Sequence, residues 1–321
     1  MRALVYRLGH GIALEDVPAP SDSGEVLVDV LLAGICGTDL QAVQKGFPPL
    51  PSPFVLGHEF VGVRQDTGEV VVANTMVTCG KCPSCLAGDS RHCDSRQIIG
   101  FDLPGIFAER VSVPPKNLLP VGPAASVVQA ALVEPLATAL HAWRLASPAP
   151  GANVGIIGAG GIGMPLLHVA NVCGAGTVDV TDIDPDRLAL ALRMGATSAS
   201  TGLGSGYDAV FDLVGSRETR AAAVSALRWG GTCVMLGLHE LDIALGVDFI
   251  VEEKIVKGTF AFTDGEFREA VGLAAALDTS WTSVVSLEDG VEILNGRRPL
   301  PPGTAKVMVY PGVTRSPLLA D

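Results

Sequence analysis

The stretch that most constrains this chain is residues 154–182, VGIIGAGGIGMPLLHVANVCGAGTVDVTD. An apolar run at 154–157, bounded by glycine, reads as a buried strand. Gly158, Ala159, Gly160, Gly161, Ile162 and Gly163 follow, and then a helical stretch to residue 172. A second strand at 177–181 delivers Asp182, nineteen residues beyond Gly163. In this order the residues fit a dinucleotide-binding turn. Gly158 permits the tight turn, Gly160 lets backbone approach a pyrophosphate, and Gly163 lets helix and strand pack closely. The helix N-terminus offers N–H groups and its positive dipole end to the phosphates. Asp182 would accept hydrogen bonds from the adenosine ribose hydroxyls and repel a 2′-phosphate, which points to NAD over NADP. A glycine triplet alone is a weak sign in a chain with 38 glycines. Strand, helix and acidic residue all falling in place separate it from a plain Gly-rich turn.

At 321 residues there is room for two domains. Hydrophobic residues make up 48%, but Gly, Pro and charges interrupt them before any run reaches membrane-spanning length. No membrane partner is expected. The first sixteen residues lack a signal-peptide pattern and read as a strand, so a cytoplasmic location is expected. A net charge of −12 without a basic cluster argues against nucleic acid as a partner.

Four of the seven cysteines, Cys79, Cys82, Cys85 and Cys93, form C-x2-C-x2-C-x7-C. In a reducing compartment metal binding is a better expectation than disulfides. Four thiolates so spaced can close a tetrahedron around zinc and leave no open position for water, which is a structural site. An iron–sulfur cluster is the rival occupant.

Strand-like runs at 3–6, 25–32, 60–63, 69–73 and 107–113 fill the first third, with a Pro/Ser/Gly turn region between the first two. Residues 125–146 read as helical, with Pro135 marking a kink or a start. Beyond Asp182 the pattern alternates: helix 184–192, strand 207–214, helix 217–229, strand 232–236, strand 255–260. That alternation defines a doubly wound parallel α/β domain over about 146–262. Residues 264–310 read as helix, strand, helix and strand, too short for a domain, and are expected to return to the N-terminal one. A loose tail is expected over 311–321.

Cys36 within CGTD, His58-Glu59 within GHE, the four-cysteine lobe, Glu134-Pro135 and the GAGGIG turn, in this order, resemble the zinc-dependent medium-chain alcohol dehydrogenases, closest to the polyol, sugar and threonine dehydrogenase branch. The resemblance implies an α/β architecture with a GroES-like β-rich catalytic domain (1–145 and 263–321, zinc lobe 79–93) and a Rossmann domain (146–262). It implies two zinc ions per chain. Cys36, His58 and Glu134 would ligate the catalytic ion, with Glu59 as a supporting or exchanging ligand and a fourth position left for substrate oxygen. Zinc would lower the alcohol's pKa, and NAD would take the hydride. Thr38 matches the hydroxyl that contacts the substrate oxygen, although it could equally serve as a helix-start residue. Gly161, Ile162 and Arg187 join Gly158, Gly160, Gly163 and Asp182 in the cofactor set. Relatives are homodimers or homotetramers.

Taken singly, Cys36, His58 and Glu134 each have an ordinary structural explanation: a buried thiol, a core imidazole, a helix-start carboxylate. Their joint order carries the reading. The chain departs from the family at Gln41, where many relatives place a relay histidine; glutamine does not titrate. The stretches between Glu59 and Cys79 and over 198–207 are compact for the family. The expected reaction is NAD-linked oxidation of a hydrophilic secondary alcohol (a polyol, sugar or aminocyclitol), or reduction of its ketone. The alternatives are a threonine-type amino alcohol, a primary alcohol or aldehyde, and a catalytically silent zinc- and NAD-binding scaffold.

Overall fold

The computed structural model describes residues 1–21, 24–240 and 242–312, so most of the expected tail lies outside the described residues. The chain divides into two compact units, one of Met1–Glu134 with Thr263–Pro301 and Lys306 onward, the other of Pro135–Phe262 with Pro302–Ala305. No described helix is long and apolar enough to cross a membrane.

The first unit is built on the strand Val26–Gly34. Its first half alternates, with Val26, Val28 and Val30 inward and Leu27 and Asp29 half-buried, and its second half is buried throughout. Glu59–Arg64 pairs antiparallel along one edge. Arg110–Val113 and then Lys306–Tyr310 pair antiparallel along the other. Gly34 therefore stands opposite Glu59 on one side and Met308 on the other. This register delivers Cys36, His58, Glu59 and Lys306 to one end of the sheet. Behind it lies a core that includes Leu4, Tyr6, Phe60, Phe107, Leu294 and Val309.

The returning C-terminal segment has the expected order: helix Asp264–Leu273, strand Thr282–Ser286, helix Leu287–Leu294, strand Lys306–Tyr310. The expected turn region after residue 6 contains a strand instead. Gly11–Asp16 folds back antiparallel on Arg2–Arg7, through a turn in which Gly9 has φ +75°. Only this pairing makes it a strand, because its own alternation is short and bounded by Gly and Pro.

The second unit is a six-stranded parallel sheet in the order Ser198–Ser200, Thr177–Thr181, Asn153–Ile157, Tyr207–Asp212, Leu227–Met235, Ile255–Gly258. The chain winds outward from Asn153–Ile157 in one direction and then in the other, the doubly wound topology that opens a crevice beside the carboxyl end of the first strand. The helix expected over 217–229 stops at Ala226. Leu227 is already extended and pairs with Tyr207, so sheet pairing claims the last turn.

Candidate active site and metal centres

Helix Gly37–Lys45 begins at Cys36, whose backbone N–H donates to Asp39 Oδ2 at 2.9 Å. Asp39 is fully buried, and its Oδ1 lies 3.6 Å from His58 Nδ1, beyond hydrogen-bond range. The Cys36 thiol reaches Thr38 Oγ1 at 3.6 Å. Cys36, His58 and Glu59 each present a ligand atom, and these atoms all lie within 4.8 Å of one another. Asp39 Oδ1, His58 Nδ1 and Glu59 Oε1 are buried without a hydrogen-bond partner. Orphaned polar atoms at this density are costly unless something binds them, and a thiolate, an imidazole and a carboxylate are the donor set of a zinc site.

The surrounding charges act on His58 and Lys306. Burial opposes a charge on His58, but Asp39 and Cys36 outweigh it and hold the imidazole well above its ordinary value. Lys306 is buried against Glu59 Oε2. Burial works against its ammonium too, yet Glu59 and Cys36 keep its pKa raised. A Cβ at Gly34 would collide with the Glu59 carboxylate, so only glycine leaves room for this pair. Sequence reasoning missed both Lys306 and Gly34. Asp39 lies inside the CGTD element, but nothing in that motif places it beside His58. Glu134, in the first turn of helix Val133–Ala146, lies outside the 4.8 Å cluster but within its field. Burial, and then the Glu59 charge, push its carboxyl up to about 7.

The sulfurs of Cys79, Cys82, Cys85 and Cys93 also lie within 4.8 Å of one another. Backbone N–H groups of Lys81 and Cys82 donate to Cys79 Sγ at 3.5 and 3.3 Å and lower its pKa to about 6. Burial and the adjacent thiol of Cys82 push Cys85 up to about 11. Four such groups cannot all ionise together without a cation among them. The lobe's base is closed by the pair Met76–Val77 and Gln97–Ile98.

At the glycine turn, Gly158 has φ +102°, and a Cβ on Gly163 would strike the Gly158 carbonyl oxygen. Gly160 faces open space, the cradle a pyrophosphate needs. Ile162 precedes helix Gly163–Val172. Asp182 accepts from the N–H groups of Ala159 (2.8 Å) and Asp184 (2.9 Å), which fixes its carboxylate at the crevice. Arg187 Nη1 stands 3.9 Å from Asp182 Oδ2, and its Nε is buried without a hydrogen-bond partner.

Residues 22–123 match the family described as the alcohol dehydrogenase GroES-like domain, and residues 161–276 match that described as zinc-binding dehydrogenase. The chain is 35% identical to L-threonine 3-dehydrogenase of Streptomyces coelicolor, over 81% of this chain and 84% of the relative. It is 29% identical to sorbitol dehydrogenase of Bacillus subtilis over 97% of each. A zinc-binding dehydrogenase of Sinorhizobium meliloti, bound to NADP, has a TM-score of 0.87 at 29% identity, covering 97% of this chain and 99% of that one. The chain belongs to the zinc-binding alcohol dehydrogenases of the medium-chain, GroES-like type. It is an oxidoreductase acting on CH–OH groups of small molecules.

Proposed function

We propose that this enzyme interconverts a hydrophilic secondary alcohol of the polyol, sugar or aminocyclitol class and its ketone, with NAD as hydride carrier. The observation that carries the reading is the convergence of Cys36, His58 and Glu59 within 4.8 Å, with the Glu134 carboxyl in their field. The residues 1–145 and 263–321 serve as catalytic domain and 146–262 as NAD domain. Cys36 and His58 are the fixed zinc ligands, His58 through Nε2 because Nδ1 faces Asp39. Glu134 is the carboxylate ligand: Glu59 already has Lys306 as its counter-charge, whereas Glu134 has none in contact. Glu59 stands behind as the supporting group. When bound, zinc polarises the substrate oxygen and NAD accepts the hydride. Thr38 holds the hydroxyl proton of the substrate, and Gln41, one turn on, orients water without taking that proton. The four-cysteine lobe holds the second, structural zinc.

Activity is tested by following NADH formation across polyols, sugars, aminocyclitols, threonine and simple alcohols, before and after chelation. Chelator-sensitive turnover of one polyhydroxy class is expected. Turnover confined to threonine would replace this reading with the amino-alcohol one, which the 35% identity to a threonine dehydrogenase favours.

The metal site should also respond to pH. With the Glu134 carboxyl pushed up to about 7 in the metal-free chain, zinc must displace a proton below that value. Affinity is expected to rise about tenfold per pH unit per displaced proton as pH climbs toward 7, and less steeply above, where Glu134 no longer contributes but the His58 proton is still displaced. A Glu134→Gln variant whose zinc titration kept the parent's slope below pH 7 would remove Glu134 from the ligand set.

At the cofactor, Asp182 is proposed to bind the ribose hydroxyls, with Gly158, Gly160, Gly161, Ile162 and Gly163 forming the phosphate turn. Ile183, 93% exposed, and Arg187 flank the adenine side. Asp182→Ala should cut the NAD over NADP preference by about tenfold to a hundredfold, the loss of one or two charge-assisted hydrogen bonds and a repulsion. An unchanged kcat/KM ratio for the two cofactors would refute this contact.

The chain is further proposed to be a homodimer, or a homotetramer built of two such dimers. Ile255–Gly258 is the last strand of its sheet, and Val247, Ile250 and Val251 beside it are 76, 74 and 63% exposed. An open edge with that much apolar surface calls for a partner. Ile250→Glu should shift the mass measured by light scattering to the monomer; a monomeric parent would end the proposal.

A further inference from the structure

A cavity of about 250 Å³ opens in the first unit where three distant segments meet: the approach to the cysteine lobe, the turn before strand Leu118–Pro120, and helix Asp264–Leu273. It shares no residue with the Cys36–His58–Glu59 cluster. Lys116 and Arg268 are both exposed on its rim. Among the described residues neither forms an ion pair. Arg2, Arg7, Arg64, Arg110 and Arg228, by contrast, all find carboxylates. Lys116 Nζ donates only to the Thr78 carbonyl.

The one carboxylate on the wall is already engaged. Asp264 accepts from Asn74 Nδ2 at 2.6 Å and from Ser90 Oγ at 3.4 Å. Asn117 is 6% exposed; its Nδ2 donates to the carbonyls of Asn74 and Met76, while its Oδ1 has no donor. The buried ring of Phe267 contributes an apolar wall.

Two uncompensated cations, an acceptor lacking a donor and an apolar wall describe complementary chemistry. We propose that this cavity binds a small hydroxyl-bearing oxyanion, a polyol phosphate or a hydroxy acid. Its charged end lies between Arg268 and Lys116, with a hydroxyl toward Asn117. A guanidinium suits either oxyanion by paired N–H donors, and the ammonium adds a point charge.

The zinc-loaded full chain would be titrated calorimetrically with glycerol 3-phosphate, glycerate, inorganic phosphate and glycerol at fixed ionic strength. Saturable binding of glycerol 3-phosphate or glycerate is expected, the stronger of the two identifying the headgroup. Phosphate should bind more weakly and glycerol not at all. Arg268→Ala and Lys116→Ala should each weaken binding about tenfold or more, as loss of a charge-assisted contact does, with dehydrogenase rate and melting temperature unchanged. Failure of both oxyanions to saturate overturns the proposal. So does binding that survives both substitutions, which would place the ligand elsewhere.

Discussion

Cys36→Ala is expected to lower kcat/KM by about a thousandfold or more while leaving the fold intact. The expectation rests on what Cys36 does and does not do in the structure. It is half-buried at the start of a nine-residue helix, where its sulfur is no more than a weak capping acceptor for the Asp39 backbone N–H. The helix is instead anchored by the Cys36 N–H to Asp39 contact, which alanine retains. The thiolate, by contrast, is the only soft donor among Cys36, His58, Glu59 and Glu134, and soft donors confer the tightest zinc binding. Without it an imidazole and carboxylates remain, one of which is shared with Lys306. Loss of the polarising ion forfeits several kcal/mol of transition-state stabilisation, about three decades in rate. Metal analysis should show half the zinc gone, NAD should still bind, and the circular dichroism should match the parent. Retained activity in this variant would remove zinc-assisted hydride transfer from the reading altogether.

That cluster was legible in part. Cys36 and His58-Glu59 stand in short motifs, and the register of Val26–Gly34 against Glu59–Arg64 turns sequence motifs into neighbours. Lys306 carries no local signal. It reaches Glu59 only because Lys306–Tyr310 pairs with the far edge of the same strand, and an edge-to-edge pairing across most of the chain leaves no periodicity to read. The need for glycine at position 34 is equally invisible until the Glu59 carboxylate is seen opposite it. The four-cysteine lobe and the glycine turn were plain for the opposite reason: their functional atoms are contiguous in sequence, so spacing alone encodes geometry. Elements made by tertiary pairing were the ones misjudged. Gly11–Asp16 becomes a strand only against Arg2–Arg7, and Leu227 leaves the helix only because Tyr207 offers a partner.

Cys82→Ala should have the reverse profile, a weakened fold with chemistry partly retained. Between Cys79 and Cys93 only Ser90 and Cys93 are buried, so the lobe has no apolar core, and its four-residue helix Pro83–Leu86 buries nothing. Such a segment is held by metal: structural zinc is worth about 10–16 kcal/mol in isolated finger peptides, and three thiolates hold it far less well than four. Asp264, which clasps Ser90 and Asn74, is a further anchor. Local unfolding should therefore stop near the Met76–Val77 and Gln97–Ile98 pair. Trypsin is expected to cut at Lys81 or Arg91 in the variant and spare the parent, one zinc should be lost, and the melting temperature should fall by several degrees or more. Some of the disturbance should reach the catalytic cluster. Gly100 packs against the Gly57 carbonyl, and the Phe101 ring lies 5.1 Å from that of His58, centroid to centroid. A tenfold loss in kcat is about what a loosened ligand platform costs; the thousandfold loss of Cys36→Ala is not expected. Recovery of iron in place of the lost zinc would reassign the lobe, and an unchanged protease pattern would mean that the lobe folds without its metal.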